Sequence, residues 1–371
     1  MTSFSQELRQ WPVDRVRHFI RSMNRPELVA RALTGGNLTT GDFAALLSPA
    51  AATHLETMAR RAALLTRRRF GRIMQMYAPL YVSNHCVNSC LYCGFNCRNR
   101  VERTKLTVAE AEAEAAVLAR QGFRHLLLVS GEDRRAVPVD YFVRLVRKLQ
   151  AKFASVAIEL YPLEEAEYRA LVEAGVDSLT LYQETYQEEE YEKFHPAGPK
   201  RDFSQRLGSA ERAARAGITF LGVGALLGLA DWRIDSFYTG LHARWLTRHY
   251  WRQQASVSFP RLRQATGGFA PPQPVSDAEL VQIICAQRLF LPDAGLVLST
   301  REPSGLRDRL VALGITRISA GSKTTPGGYS RDHGGEPQFA VQDQRSPAEV
   351  RQALRRQGFD PVDKDWDAAY H

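Results

Sequence analysis

Three cysteines in the first third of the chain have a spacing that suits metal chemistry. Cys86, Cys90 and Cys93 form the pattern Cys-x3-Cys-x2-Cys. Three thiolates on one short loop can hold three irons of a cubane 4Fe–4S cluster, and the fourth iron then has no protein ligand. Zinc is the alternative, but it would require a fourth ligand at similar spacing. His85 is badly placed beside Cys86, and Cys97 is a weak candidate for that fourth ligand.

The free iron of such a cluster determines what the site could do. It can bind the amino and carboxylate groups of S-adenosylmethionine (SAM). An electron from the reduced cluster then breaks the sulfonium carbon–sulfur bond and releases a 5′-deoxyadenosyl radical. The remaining residues must place one substrate hydrogen beside that radical, so the pattern predicts a radical enzyme.

Polar residues follow several apolar runs of the chain, at the points where parallel strands would end. Ser130, Gly131 and Glu132 form a turn in which Gly allows close backbone approach and the acid can pair with an ammonium. The carboxyl ends of the strands form the active-site mouth of a parallel barrel. Each of these side chains alone also fits a surface ion pair. The further candidates are Glu159, Gln183, Glu184, Arg261, Arg301 and Glu302.

Eight short apolar runs predict the strands that would position these residues. They are rich in Val, Ile and Leu without polar alternation, as parallel strands buried on both faces are. Helix start signals lie between them, for example at Thr107 and Ser276. The count favours an α/β fold of the (β/α)8 TIM type, although an open α/β sheet gives the same local pattern. The predicted strands are 76–82, 126–130, 156–160, 178–182, 220–225, 255–259, 295–299 and 315–319.

Further segments flank the predicted barrel. The segment 1–75 has apolar residues at helical spacing and predicts an N-terminal helical extension. The barrel is expected over 76–325, and 326–371 is expected to be a C-terminal segment that covers it. In that segment a helix is predicted to start at Ser346 and Pro347.

The composition is that of a globular protein with excess basic residues. The 371 residues carry a formal net charge of +9, which could attract phosphates, an acidic protein or nucleic acid. No basic stretch alternates with aromatics as single-strand binders do, so nucleic acid is not expected. No secretory signal is visible, and the longest weakly polar run, 220–230, is shorter than the roughly 20 residues that span a bilayer. Crowded cysteines suit metal binding in a reducing compartment, so a cytoplasmic protein without membrane contact is expected.

Five longer motifs have the appearance of one family. They are YVSNHCVNSCLYCGF at 81–95, FPRLR at 259–263, STRE at 299–302, SAGSKTTPGGY at 319–329 and DKDWD at 363–367. From about residue 77 to its end the chain resembles 2-iminoacetate synthase, the tyrosine lyase of thiamine thiazole biosynthesis in the radical SAM superfamily. The resemblance implies a 4Fe–4S cluster and SAM as cofactors. It also implies cleavage of L-tyrosine between Cα and Cβ to 2-iminoacetate and 4-cresol, with SAM converted to 5′-deoxyadenosine and methionine.

The resemblance implies roles for individual residues. Cys86, Cys90 and Cys93 would hold the cluster. Arg261 is the first choice for the substrate carboxylate, since a guanidinium binds it through two hydrogen bonds, whereas Ser276 also fits a helix cap. The residues expected to bind SAM are Tyr92, Ser130, Gly131, Glu132, Glu159, Gln183 and Glu184, and those expected to bind substrate are Tyr81, Arg261, Arg301 and Ser276. Ser130 stands where the superfamily commonly has Gly, and Cys97 and Cys285 receive no role.

Partners and alternatives also follow from the resemblance. Thiazole synthase would receive the imine, and a flavodoxin- or ferredoxin-type protein would supply the electron. The nearest alternative is the tyrosine lyase of hydrogenase maturation, which carries a second cluster on C-terminal cysteines, whereas no Cys follows Cys285 here. A tryptophan lyase of indolic acid formation and an RNA-modifying radical SAM enzyme are further alternatives. A non-catalytic iron–sulfur module would not cleave SAM.

Overall fold

The computed structural model describes residues 3–330 and 336–363, and its centre is a sheet of parallel strands. The strands are β1 Ile73–Ser83, β2 His125–Ser130, β3 Ser155–Glu159, β4 Ser178–Thr180, β5 Phe220–Gly224, β6 Gln254–Ser258, β7 Gly295–Leu298, β8 Arg317–Ser319 and β9 Asp360–Val362. β1 pairs with β2 through Ala78 and Leu126 and with β8 through Gln75 and Arg317. Strands β1 to β8 therefore close into a barrel, which confirms the (β/α)8 prediction and excludes the open sheet.

All eight predicted strands are present, and the main difference is an additional ninth. β9 pairs in parallel with the start of β1, where Ile73 faces Asp360. The pairing explains why β1 begins before residue 76, the predicted start. A strand of three residues that contains Pro361 gives no periodic signal and lies at an edge, where Pro is tolerated.

Helices surround the barrel and begin where the sequence signals place them. The capping boxes predicted at Thr107, Ser276 and Ser346 are present, and each hydroxyl accepts a hydrogen bond from the backbone of a Glu three residues on. Among the described helices, none combines the length and apolar character needed to cross a membrane. The helices are α1 Phe4–Gln10, α2 Val13–Ser22, α3 Pro26–Thr34, α4 Thr40–Leu47, α5 Leu55–Phe70, α6 Val108–Arg120, α7 Val139–Leu149, α8 Glu165–Ala174, α9 Glu188–Phe194, α10 Phe203–Leu207, α11 Ser209–Ala216, α12 Trp232–His249, α13 Asp277–Phe290, α14 Ser304–Leu310 and α15 Pro347–Arg356, with 3-10 turns at Pro49–His54, Pro199–Arg201 and Val311–Leu313.

The helices before β1 pack onto the outer layer of the barrel. Phe4 of α1 stacks on His242 of α12, with ring centroids 4.1 Å apart, and Phe43 of α4 stacks on Phe290 of α13 at 4.0 Å. All four rings are buried, so the extension shares its core with the barrel. The boundaries at residues 75 and 325 stay predictions.

The C-terminal segment returns to the barrel at two places. β9 extends the sheet beside β1, and residues near 338 lie at the barrel mouth, where the backbone N–H of Gly94 donates to the carbonyl of Gln338 at 3.0 Å. The mouth is therefore formed by residues distant in sequence. The motif at 363–367 lies, apart from Asp363, outside the described residues.

Candidate active site

The cysteine loop leaves β1 at the carboxyl mouth of the barrel and is tied to the loops beside it. The backbone N–H of Val87 donates to the carbonyl of Glu132 at 2.9 Å, and that of Ser89 donates to the carbonyl of Ala197 at 3.1 Å. The loops after β2 and after α9 therefore hold the cysteine loop in place.

The three thiols of the loop occupy one electrostatic environment. Cys90 is buried, and Cys86 and Cys93 are half-buried. Burial raises the pKa of each thiol, that of Cys90 to about 12, and the Lys200 ammonium opposes this rise in all three. The charge of Cys86 raises the pKa of both other thiols, so the three groups lie close together. Binding to iron would displace their protons.

Two glycines bring neighbouring backbones against the cysteine loop. A Cβ on Gly131 would lie 2.4 Å from the carbonyl oxygen of His85. Gly198 has φ +95°, and a Cβ there would lie 2.3 Å from Oδ1 of Asn88. Only Gly permits these approaches. The thiol donors and this cradle free of side chains fit a 4Fe–4S cluster with SAM at its free iron. Among the described residues, no three His, Cys, Asp or Glu side chains are arranged to hold a single metal ion.

The turn after β2 lies beside the same loop, as the sequence predicts. The Glu132 carboxylate accepts a hydrogen bond from Nδ2 of Asn88 at 2.6 Å. Ser130 donates its hydroxyl to the carbonyl of Gly131 at 2.5 Å, so it stabilises the turn where the superfamily commonly has Gly. The carboxylate is thus held next to the cysteines.

Glu184 is buried after β4 between two cations that sequence reasoning missed. Its Oε1 accepts from Nζ of Lys200 at 2.7 Å and from Nη2 of Arg206 at 3.0 Å. Burial opposes ionisation, but Lys200 and Arg206 outweigh it and lower the pKa of Glu184 to about 2. The carboxylate therefore stays charged at neutral pH. Its φ of +70° is uncommon for a residue other than Gly and is typical of functional sites.

Tyr92 is fixed by a histidine that also had no signal in the sequence. Its hydroxyl lies 2.8 Å from Nε2 of His195, whose Nδ1 lies 2.7 Å from the carbonyl of Tyr191. A carbonyl can only accept, so Nδ1 carries the proton and Nε2 accepts from Tyr92. Burial and the Lys200 charge lower the pKa of His195 to about 3, which keeps it neutral. The Tyr92 ring is thereby held in one orientation beside the cysteines.

Tyr81, Glu159 and Arg301 meet inside the barrel mouth. Burial raises the pKa of Glu159 to about 7, and the Arg301 charge is the largest opposing influence. Burial raises the pKa of Tyr81 well above its ordinary value, and the Arg301 charge opposes that rise. The Tyr81 hydroxyl donates to Oε1 of Gln338 at 2.7 Å. The guanidinium of Arg301 lies over the Phe339 ring, 3.4 Å from its centroid. Among the described residues no carboxylate forms an ion pair with Arg301, so its charge is available to a ligand.

The raised pKa of Glu159 predicts a pH dependence of stability. Between the ordinary pKa of 4.5 and about 7, the folded protein holds this proton more tightly than the unfolded chain, so stability falls as pH rises through that window. We expect the melting temperature of Glu159→Gln to rise relative to wild type between about pH 5 and about pH 8. Glu189→Gln, on the exposed side of α9, is the control. A Glu159→Gln difference that is constant with pH would contradict the prediction.

Arg261, the first choice for the substrate carboxylate, is occupied by other partners. Its Nε donates to Glu302 at 3.0 Å, Nη2 forms a second bond to the same carboxylate, and Nη1 donates to the Val275 carbonyl at 2.9 Å. Asp277 pairs with Nη1 at 2.8 Å. Arg263 also bonds to Glu302, which is 1% exposed. The guanidinium therefore ties the ends of β6 and β7 together, and its substrate role stays a prediction.

Removal of Arg261 should destabilise the fold. Arg261→Met would leave the buried Glu302 with one cation, and breaking a buried pair in this way costs about 3–5 kcal/mol. We expect a matching decrease in the free energy of unfolding in urea, with deoxyadenosine and cresol formation still coupled at low temperature. Arg309→Met, on the exposed side of α14, controls for loss of an arginine. Unchanged stability together with lost coupling would instead make Arg261 a substrate ligand.

Other predicted residues are placed less centrally. The Gln183 amide donates to the Phe203 carbonyl of α10 at 3.4 Å and so turns toward the helix layer. Ser276 is exposed and its hydroxyl caps α13. Among the described residues, neither side chain hydrogen-bonds to the cysteine loop, and their binding roles stay predictions. Cys97 is exposed and Cys285 is buried within α13.

Gln338 is a further site residue that sequence reasoning missed. Its Nε2 lies 3.9 Å from Sγ of Cys93, while its Oε1 accepts from Tyr81. One signal was available: Gly94 follows the third cysteine, and a Cβ there would lie 2.6 Å from the Pro337 carbonyl. A glycine directly after the third cysteine is consistent with another segment of backbone packing closely against the loop there.

A closed (β/α)8 barrel with three thiols on the loop after its first strand is the site of a radical SAM enzyme, which uses a 4Fe–4S cluster and SAM. Residues 80–238 match the Radical SAM superfamily, and residues 258–360 match the Biotin and Thiamin Synthesis associated domain. The chain belongs to the 2-iminoacetate synthase family. It is 47% identical to 2-iminoacetate synthase of Escherichia coli strain K12, over 99% of this chain and 98% of that protein. The corresponding protein of Salmonella typhimurium is 45% identical with the same coverage.

Solved structures place the fold in the same group. The FeFe-hydrogenase maturase HydG from Carboxydothermus hydrogenoformans is 31% identical with a TM-score of 0.88, covering 96% of this chain and 84% of that chain. Methylornithine synthase, at 24% identity and a TM-score of 0.71, shares the fold over 90% of this chain and 97% of its own. The resemblance inferred from the motifs is confirmed.

Proposed function

We propose that the chain is a lyase that cleaves the Cα–Cβ bond of L-tyrosine to 2-iminoacetate and 4-cresol in thiamine thiazole biosynthesis. Full-length identity of 47% to 2-iminoacetate synthase carries this proposal, and the three clustered thiols at the barrel mouth support it. When bound, the cluster and SAM supply a 5′-deoxyadenosyl radical that removes one substrate hydrogen. The residues of the chain must bind, orient and enclose the two molecules.

The SAM side of the site is formed by the loops after β1, β2 and β4. Tyr92, held by His195, would contact the adenine of bound SAM. The turn at Gly131 and Glu132 receives the methionine amino group, because its carboxylate can accept from an ammonium and its glycine leaves room for close approach. Glu184 stays ionised and is a second hydrogen-bond acceptor on the SAM side of the site. Glu159 and Gln183 are also proposed to contact SAM. Glu159 is the better placed of the two, because it lies in the barrel mouth whereas the Gln183 amide turns toward α10.

The substrate side is formed around Arg301. Its guanidinium has no carboxylate partner among the described residues and lies over the Phe339 ring, so it can bind the substrate carboxylate through two hydrogen bonds. Tyr81 lines the same space and is fixed by Gln338. We therefore assign the carboxylate to Arg301 in preference to Arg261. Clamping the amino acid matters because a small displacement of the target hydrogen costs much of the rate.

The remaining assignments concern partners and location. The imine product is expected to pass to thiazole synthase, and the electron is expected from a flavodoxin- or ferredoxin-type protein. We place the chain in the cytoplasm, since its free cysteines suit a reducing compartment. The relation to HydG favours the hydrogenase maturation lyase as second candidate. The 47% identity to 2-iminoacetate synthase, over 98% of that protein, favours the first candidate.

Product analysis tests the proposed function. The cluster is reconstituted without oxygen, and SAM and dithionite are added with tyrosine or with tryptophan. We expect deoxyadenosine, 4-cresol and glyoxylate from hydrolysed imine with tyrosine only. An indolic acid from tryptophan without cresol from tyrosine would assign the chain to another lyase of the group.

A further inference from the structure

Two large apolar side chains are exposed on the cysteine loop itself. Val87 is 45% exposed and Leu91 is 39% exposed, although most large apolar residues of the described chain are buried. They directly follow Cys86 and Cys90 in the sequence. Exposed apolar side chains on one loop can form the centre of a contact surface when polar residues surround them.

Backbone hydrogen bonds place neighbouring segments directly beside this loop. The backbone N–H of Leu91 donates to the Phe194 carbonyl at 3.1 Å, and that of Ser89 donates to the Ala197 carbonyl at 3.1 Å. The N–H of Cys97 donates back into the loop at 2.9 Å. The exposed residues of these segments form what is named here the cysteine-loop surface: Val87, Leu91, Cys97, Arg98, Arg100 and 196–199.

The cysteine-loop surface has basic surroundings. The segments 87–103 and 193–202 contain six Lys or Arg and two Asp or Glu. Arg98 and Arg100 are exposed, and no carboxylate among the described residues pairs with either. Arg201 adds an exposed charge at the other edge. Such a rim attracts an acidic partner and speeds their encounter at low ionic strength.

We propose that the cysteine-loop surface is the docking site of a small acidic electron-carrier protein. The inference rests on the proposed function, which requires one electron for each SAM cleaved. In the step, the carrier is oxidised by one electron and the cluster is reduced by one, with no bond made or broken. The surface suits this task because Val87 and Leu91 directly follow two of the cluster cysteines, so a carrier docked there would lie beside the loop that holds the thiolates. RNA would also be attracted by the basic residues, but its phosphate backbone would not bind the apolar side chains at the centre.

Variants of this surface separate docking from chemistry. The test variants are Leu91→Asp and the double change Arg98→Glu with Arg100→Glu. The controls are Leu64→Asp and Arg68→Glu, which alter α5. Leu64 is 50% exposed, so it matches Leu91 as a control. Reduction of the reconstituted cluster by reduced flavodoxin is followed by stopped-flow absorbance, and iron content is measured for every variant. We expect reduction by flavodoxin to slow at least about tenfold at low salt in the surface variants, while reduction by dithionite, iron content and both controls are unchanged.

Each outcome discriminates between explanations. Unchanged reduction by flavodoxin would overturn the docking proposal and leave the proposed function intact. Loss of iron or of dithionite reduction would also overturn it, because the surface would then serve the cluster alone. Binding of single-stranded RNA that is lost in the same variants, while flavodoxin still reduces them, would assign the surface to RNA. Absence of cresol from wild-type protein reduced by dithionite would instead refute the proposed function.

Discussion

Replacement of Cys90 by alanine should eliminate SAM cleavage while leaving the barrel folded. Cys90 is the most buried of the three thiols and lies between Cys86 and Cys93 on the loop. Two thiolates cannot hold three irons, so the cluster should be lost or incomplete. We expect iron content and the visible absorbance of the cluster to fall to background, and deoxyadenosine formation with them. The circular dichroism spectrum should be unchanged, because the side chain is small.

The matched control for this variant is Cys97→Ala. Cys97 lies in the same loop but is exposed, and the cluster pattern does not require it. We expect normal iron content and normal deoxyadenosine formation from it. Deoxyadenosine at the wild-type rate from Cys90→Ala, or loss of the cluster only in Cys97→Ala, would show that the ligand assignment is wrong.

Replacement of Arg301 by alanine should uncouple radical formation from substrate cleavage. The cluster and SAM side of the site lies on other loops, so deoxyadenosine should still form. Without the guanidinium the tyrosine carboxylate loses its two-pronged partner, and the target hydrogen is no longer held beside the radical. We expect the ratio of 4-cresol to deoxyadenosine to fall at least about 100-fold, measured by chromatography of single reaction mixtures.

Two comparisons make the Arg301 result specific. Arg309→Ala, on the exposed side of α14, should keep the wild-type ratio. Arg301→Lys should recover part of the coupling, since it restores the charge but not the planar fork. A wild-type product ratio in Arg301→Ala would remove this residue from the substrate site and return the carboxylate to Arg261.

The barrel and its mouth could be predicted because their signals are local. Eight buried strands appear as apolar runs, and the capping boxes at Thr107, Ser276 and Ser346 mark helix starts within four residues of sequence. Residues that directly follow strands, such as Glu132 and Arg301, lie at the barrel mouth because the carboxyl ends of all parallel strands meet there. The three cysteines lie within one loop, so their spacing also predicted the cluster site from local sequence.

Other parts of the site depend on contacts between distant segments, which no local pattern reveals. Lys200 and His195 reach the cysteines only because the segment after α9 lies beside the loop, and Gln338 arrives from the far end of the chain. The same limitation applies to the contacts of Arg261. Its guanidinium suits a carboxylate, and in the folded chain it pairs with Glu302, which lies on another loop. The sequence predicts a carboxylate partner for Arg261, and packing shows that Glu302 is one such partner, so its role toward substrate stays a prediction.

The most direct test of the site is to ask whether SAM binds the iron that the three thiolates leave free. Reduced, reconstituted protein would be mixed with SAM labelled with nitrogen-15 in its amino group and oxygen-17 in its carboxylate, frozen, and studied by electron–nuclear double resonance. Direct coupling of both nuclei to the cluster is the predicted result. A cluster signal that is unchanged by SAM and shows no coupling to either nucleus would contradict the assignment of Cys86, Cys90 and Cys93 as a three-ligand site.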